Sequence, residues 1–210
     1  MAILQPSEYD QSYFDGHIGP YSHNAGYSQY GRVEYQTKSF RFLPTLEDCT
    51  GWFYGDMMKG LDINLNHRFI GKSVLVLGCA YGFEVKWLRE LGVLAEGIDV
   101  SPYAISQAEP SVAPYLMQGD IRTVILGFKN KSYNYILSRW LLECMSDADL
   151  AALIPEMNRI CKNDQVHIVN PNGNAEYYNV KTMEQWAALP FATGTILIPN
   201  DDFANYQIVI

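Results

Sequence analysis

Two aspartates and a glycine-rich turn are the residues of this 210-residue chain whose spacing suggests chemistry. The turn is Gly78-Cys79-Ala80-Tyr81-Gly82, and it closes a short apolar run, SVLVL. Glycines there let backbone N–H groups approach a ligand closely, and a helix beginning just after them offers unpaired donors. Asp99 ends the next apolar run and is followed by Val100 and Ser101. A carboxylate about twenty residues past the first glycine suits the hydroxyls of a ribose. Asp120 ends the run after that, within Gly119-Asp120-Ile121. Its position suits the amino group of an adenine, so the two acids together suit an adenosine. A glycine turn alone also serves simply to reverse the chain, so the weight rests on the ordered series.

The elements that must hold these residues follow from periodicity. The β-branched and aliphatic run 73–77 predicts a strand buried on both faces. Val85, Trp87, Leu88 and Leu91 recur at helical spacing until Gly92 ends the run. Strands are predicted at 94–98, 115–118 and 133–138. A helix over 103–109 opens at Ser101-Pro102 and stops before Pro110. Ser146-Asp147-Ala148-Asp149 caps a helix with Leu150, Leu153, Ile154, Met157, Ile160 and Cys161 on one face, and Pro155 should kink it or mark its true start. A strand at 165–169 carries His167, read as structural. Thr182 and Gln185 stand in capping-box spacing for a helix over 182–189. Strands at 195–198 and 206–210 complete a seven-stranded set. Alternation of strands and helices gives an α/β fold. Ligands of such sheets gather outside the carboxyl ends of the strands, where Ser138-Arg139-Trp140 would face the reacting group and Glu143 would accept a proton, pack, or stand exposed to solvent.

From about residue 71 to 169 the chain resembles the class I S-adenosylmethionine (SAM)-dependent methyltransferases. VLVLGCAYG is similar to the family's first motif, GIDVS to its ribose-binding strand end, QGDI to its adenine-binding strand end, and YNYILSRWLLE to its fourth strand and loop. Two departures stand out: Val76 replaces the acid usual in the first strand, and Ala80 replaces the middle glycine. The resemblance implies a Rossmann-like three-layer sandwich with a mostly parallel seven-stranded sheet and an antiparallel last strand. It implies SAM as cofactor, S-adenosylhomocysteine as product, and Gly78 to Gly82, Asp99 to Ser101, Gly119 to Ile121 and Ser138 to Trp140 as its binding residues. The Asn/Asp-Pro-Pro-Tyr/Phe motif of amino methylases acting on DNA bases or protein amides is replaced by Ser-Arg-Trp-Leu.

The 210 residues suit one domain: an N-terminal extension at 1–44, a helix and linker at 45–70, and the core at 71–210. Residues 1–44 interleave tyrosines with glycine and polar residues without helical or strand period. An aromatic-rich cover over cofactor and substrate is expected there, with Tyr21, Tyr27, Tyr30 and Arg32 facing the ligands or packing the extension down. His23 is a candidate general base alongside Glu143. Net charge is −8, with no Lys/Arg block, so the electrostatic footprint of a nucleic-acid binder is absent. The four cysteines form no CxxC pair and read as reduced thiols rather than metal ligands. No membrane partner and no metal are expected. The composition suits a cytoplasmic monomer or homodimer acting on a small or medium-sized molecule. Two other functions share parts of this pattern. A SAM-binding protein without transferase activity would explain Val76. An NAD-dependent oxidoreductase would share the turn and the ribose acid, but Gly78-x-Ala80-x-Gly82 does not fit G-x-G-x-x-G.

Overall fold

The computed structural model describes residues 6–15, 69–169, 179–199 and 208–209. Tyr21, His23, Tyr27, Tyr30, Arg32, Cys49 and the helix expected after Pro44 lie outside the described residues. The strands are β1 (Ser73–Leu77), β2 (Leu94–Asp99), β3 (Leu116–Gln118), β4 (Tyr135–Arg139), β5 (Gln165–Val169), β6 (Ile196–Pro199) and β7 (Ile208–Val209). They form one sheet in the order β3-β2-β1-β4-β5-β6-β7. The first six run parallel, and the two-residue β7 pairs antiparallel with β6. Chain direction across the sheet reverses beside β1, between β2 and β4, which in doubly wound sheets is where ligands enter. Register brings the relevant ends level there, because Leu77 pairs with Ile98 on one side and with Ser138 on the other.

Continuous burial of β1, β4 and β5 accounts for their unbroken apolar sequences, since helices cover both faces of the sheet. On one face α2 (Phe83–Glu90) sets Val85 and Leu88 against Val74, Val76, Leu137 and Ile168. On the other, α5 (Asp147–Ile160) and α6 (Met183–Ala187) bury Leu150, Leu153, Met157 and Trp186 against Leu75, Leu77, Ile136 and Leu197. The shorter helices are α1 (Gln11–Asp15), α3 (Pro102–Ser106) and α4 (Ile121–Val124). No helix of the described residues is long and apolar enough to cross a membrane.

Three local expectations are corrected. α5 does not start at Pro155 but runs through it from Asp147, with Ser146 and Asp149 forming its capping box. Interior proline costs about 3 kcal/mol, whereas each fully buried aliphatic side chain returns roughly 1.5–3 kcal/mol, and α5 buries five residues. α3 stops at Ser106 because its last turn tightens: the Gln107 N–H reaches the carbonyls of both Tyr103 and Ala104. β4 begins at Tyr135, since Tyr133 exchanges backbone hydrogen bonds with Ile160 and Lys162 and bridges to Cys161 instead.

Candidate functional site

The glycine turn leaves β1 through three positive-φ residues, Gly78 at 70°, Ala80 at 46° and Gly82 at 76°. Gly82 is further constrained, because a Cβ there would stand 2.6 Å from Leu116 Cδ1. Ala80 occupies a conformation glycine prefers, and its N–H donates to Asp99 Oδ2 at 2.8 Å. The Gly78 and Cys79 N–H groups donate to the Ile98 carbonyl at 2.9 and 3.0 Å, lacing the turn to β2.

Asp99 is held from both sides. The Ser101 N–H donates to Oδ1 at 2.9 Å, opposite the Ala80 bond, and Val100 adds a further backbone contribution. Burial nevertheless wins: it pushes the carboxyl above its ordinary value against the N–H groups that pull it down. A carboxylate offers about four lone-pair sites, so these donors leave acceptor capacity for a ribose hydroxyl. The residues therefore fit an adenosine at this strand end. Ser101 is fully buried; its Oγ accepts from the Ala104 N–H at 2.9 Å as N-cap of α3 and donates to the Tyr9 carbonyl.

That last contact brings the chain's N-terminal part to the site. Phe14 is buried against Ala80, Tyr81 and Ala104, with its ring 5.3 Å from Tyr81 and 6.2 Å from Tyr103. The Tyr9 side chain hydrogen-bonds Cys144 in the loop after β4. Residues 9–14 thus reach from the end of β2 to the loop after β4.

Asp120 N-caps α4, accepting from the Arg122 N–H at 2.9 Å, and its carboxylate also takes the Arg122 Nε at 2.9 and 3.0 Å. The same guanidinium reaches Asp149 Oδ1 at 2.8 Å. Arg122 holds the Asp120 carboxyl below the usual range. An adenine amino group would therefore share Asp120 with Arg122, a partner no local sequence signal marked. Gly119 is needed beside it, since a Cβ would lie 2.7 Å from Val124 Cγ2, and Ile121 is buried behind it.

After β4, Trp140 takes a positive φ of 51° and donates its N–H to the Ile168 carbonyl at 3.1 Å. Its indole lies 4.2 Å from the Arg139 guanidinium. Glu143 is completely buried in the turn 142–144, and its carbonyl accepts the Asn179 N–H at 2.8 Å. Solvent exposure, one alternative for Glu143, is thereby removed. Burial first, then Glu143, pushes the Cys144 thiol up to about 12. Cys79 and Cys161 are also free thiols raised chiefly by burial. Ser138 is buried, with its Oγ 2.7 Å from His167 Nδ1. The fold thus gathers Gly78 to Gly82, Asp99 to Ser101, Asp120 and Ser138 to Glu143 at the carboxyl ends of four adjacent strands.

Residues 75–169 match a family model described as a methyltransferase domain. No curated protein matches the chain. Similar solved structures include a SAM-dependent methyltransferase of Archaeoglobus fulgidus, 17% identical with a TM-score of 0.44, covering 62% of this chain and 55% of its own. A Pyrococcus horikoshii protein is 20% identical with a TM-score of 0.42, covering 64% of this chain and 61% of its own. A protein solved in work on converting a disulfide bond into a thioacetal group during echinomycin biosynthesis is 19% identical with a TM-score of 0.52, covering 80% and 79%. The chain thus spans less than two thirds of the first two proteins' lengths. The segment 75–169, somewhat under half of the chain, is thus similar to the methyltransferase-domain family.

Proposed function

We propose that the protein transfers the methyl group of SAM to a small or medium-sized acceptor by in-line displacement. The observation that carries this reading is Asp99, fixed at the end of β2 by N–H groups from the glycine turn and from Ser101. Bound there, SAM supplies a methyl carbon already activated by the sulfonium. The protein's part is to position and desolvate the reactants, so no triad or metal cluster is required. In this reading Asp99 accepts the ribose hydroxyls, Asp120 the adenine amino group, and the loop Ser138 to Trp140 borders the acceptor. Glu143, buried at that loop, is the candidate proton acceptor among the described residues. Residues 9–14 form the inner part of an aromatic cover that keeps water from the site, with Tyr21, Tyr27, Tyr30, Arg32 and His23 further along the same segment. A cytoplasmic monomer or homodimer without a nucleic-acid partner completes the reading, supported by the net charge of −8.

The test is a thermal-shift titration with SAM, S-adenosylhomocysteine and NAD in parallel. A ligand at a hundred times its dissociation constant adds about 2.7 kcal/mol, which for a domain of this size is a rise of roughly 5–11 °C. Shifts with SAM and S-adenosylhomocysteine but not NAD are expected. A shift with NAD alone would replace the methyltransferase by an oxidoreductase. Turnover then separates an enzyme from a SAM-binding protein: release of S-adenosylhomocysteine in the presence of acceptor pools is expected.

A further inference from the structure

The loop after β4 is held in place by a residue far from it in the chain. Within the loop the turn 142–144 uses two of its own carbonyls: Leu141 accepts the Cys144 N–H at 3.0 Å and Leu142 the Met145 N–H at 3.2 Å. The Glu143 and Met145 carbonyls are taken by Asn179, which stands between β5 and α6. The Asn179 N–H donates to the Glu143 carbonyl at 2.8 Å, and its Nδ2 donates to the Met145 carbonyl at 3.1 Å and to Asp147 Oδ1 at 2.9 Å. A carbonyl only accepts, so the Asn179 amide has one orientation, with both of its hydrogens used. Glu143, Met145 and Asn179 are all buried, so these carbonyls need a protein partner. Asn179 is itself anchored. Lys181 Nζ reaches the same Asp147 oxygen at 2.6 Å, and α6 follows at once, capped by Thr182 and rooted by the fully buried Trp186.

Two observations put this loop beside Asp99. Burial and Glu143 raise the Cys144 thiol most, and the Asp99 charge adds to them, so Cys144 lies within reach of that carboxylate. Tyr9 also ties the two together, bonding Cys144 through its side chain and Ser101 Oγ through its carbonyl. We infer that Asn179 is a positioning residue for the site, fixing the loop 141–145 as the wall beside Asp99. The inference rests on the proposed methyl transfer, in which the chain after β4 borders the acceptor. In-line transfer needs its reactants aligned to a fraction of an ångström, so a wall free to shift costs rate. Cofactor affinity should be spared, because the N–H groups that hold Asp99 come from Ala80 and Ser101, outside the loop.

The experiment compares the wild-type chain with Asn179→Leu, close in shape but without the amide, and with Lys181→Met, which keeps the Asn179 bonds. Three quantities are read: iodoacetamide modification of Cys144 and Cys161 by peptide mass spectrometry, S-adenosylhomocysteine binding by calorimetry, and turnover with acceptor pools per calorimetric binding site. In Asn179→Leu, Cys144 should be modified roughly tenfold faster while the core thiol of Cys161 stays protected. S-adenosylhomocysteine affinity should change by no more than about threefold, whereas turnover per site should fall roughly ten- to hundredfold at an unchanged KM for SAM. Lys181→Met should stay within about twofold of wild type in all three, since the Asn179 bonds remain. Unchanged Cys144 reactivity overturns the inference, and so does equal acceleration at Cys161, which would make Asn179 a residue of general stability. A loosened loop with wild-type turnover also overturns it and leaves the SAM reading standing. A wild-type chain that binds S-adenosylhomocysteine without turnover overturns methyl transfer and this role together, and one that binds neither SAM nor S-adenosylhomocysteine overturns the SAM reading itself.

Discussion

Asp99 combines two opposed influences, and their balance sets how the protein should respond to pH. Burial raises the carboxyl while the N–H groups of Ser101, Ala80 and Val100 lower it, and burial prevails. A raised value means that protonation begins at higher pH than for an ordinary carboxylate. Ribose hydroxyls donate to the ionised form and favour it, so cofactor affinity should fall as pH drops toward the acid range, starting above the usual carboxylate value. Calorimetric titration across that range checks it: the slope should be present in the wild-type chain and absent in Asp99→Asn. At neutral pH Asp99→Ala should weaken cofactor binding by about 1–3 kcal/mol through loss of a charge-assisted bond. Gly82→Ala tests the turn itself. A Cβ at φ 76° meets Leu116 Cδ1 at 2.6 Å, so stability should fall by about 1–3 kcal/mol, read as a lower urea midpoint with unchanged m.

At the scale of elements, α1 depends on its neighbours. Five residues cannot sustain a helix in water, so its order comes from packing: Phe14 on Tyr81 and Tyr103, and Ser101 on the Tyr9 carbonyl. In Phe14→Ala, α1 should detach. Amide exchange at Phe14, whose N–H bonds the Asp10 carbonyl at 3.2 Å, should accelerate while the core amides of β1 and β4 stay protected. A global loss of about 3–5 kcal/mol, as for an aromatic removed from a core, would instead make α1 part of the core. The same division between local and distant separates what was legible in the sequence from what was not. Both capping boxes, Ser146 with Asp149 and Thr182 with Gln185, could be read because their partners lie three residues apart. The turn and Asp99 were legible because strand-turn-helix spacing is fixed by the fold. Arg122 bridging to Asp149, and Asn158 reaching Gln165 and Pro190, were not, because those pairs exist only after the sheet and α5 have packed. Pro155 misled as a helix start because a local penalty was weighed without the buried face that outweighs it.

For the whole molecule these local balances combine into an acid-stability profile. His167 is lowered by burial from 6.5 to about 3, so the unfolded chain takes up a proton that the folded chain refuses. The stability this contributes is complete above the ordinary histidine value and is lost as pH falls through the interval between 6.5 and about 3. Asp120 and Asp149 are lowered by their partners, Arg122 foremost for Asp120, so what they contribute is lost only below the ordinary carboxylate value of 3.8. Asp99 acts in the opposite sense, since its raised carboxyl is easier to keep folded once protonated. Below 6.5 the loss from His167 is therefore set against the opposite effect of Asp99 above 3.8, and removing each group in turn separates them. Unfolding free energies from urea titrations at successive pH values should decline as pH falls below 6.5, most steeply in Asp99→Asn, where the opposing carboxyl is gone and the slope approaches about 1.4 kcal/mol per pH unit, the value for one proton. His167→Asn should start from a lower midpoint, because the Ser138 and Gln165 contacts are disturbed, but should lose this slope. A variant that kept the wild-type slope would show that His167 does not hold its proton deficit in the folded chain.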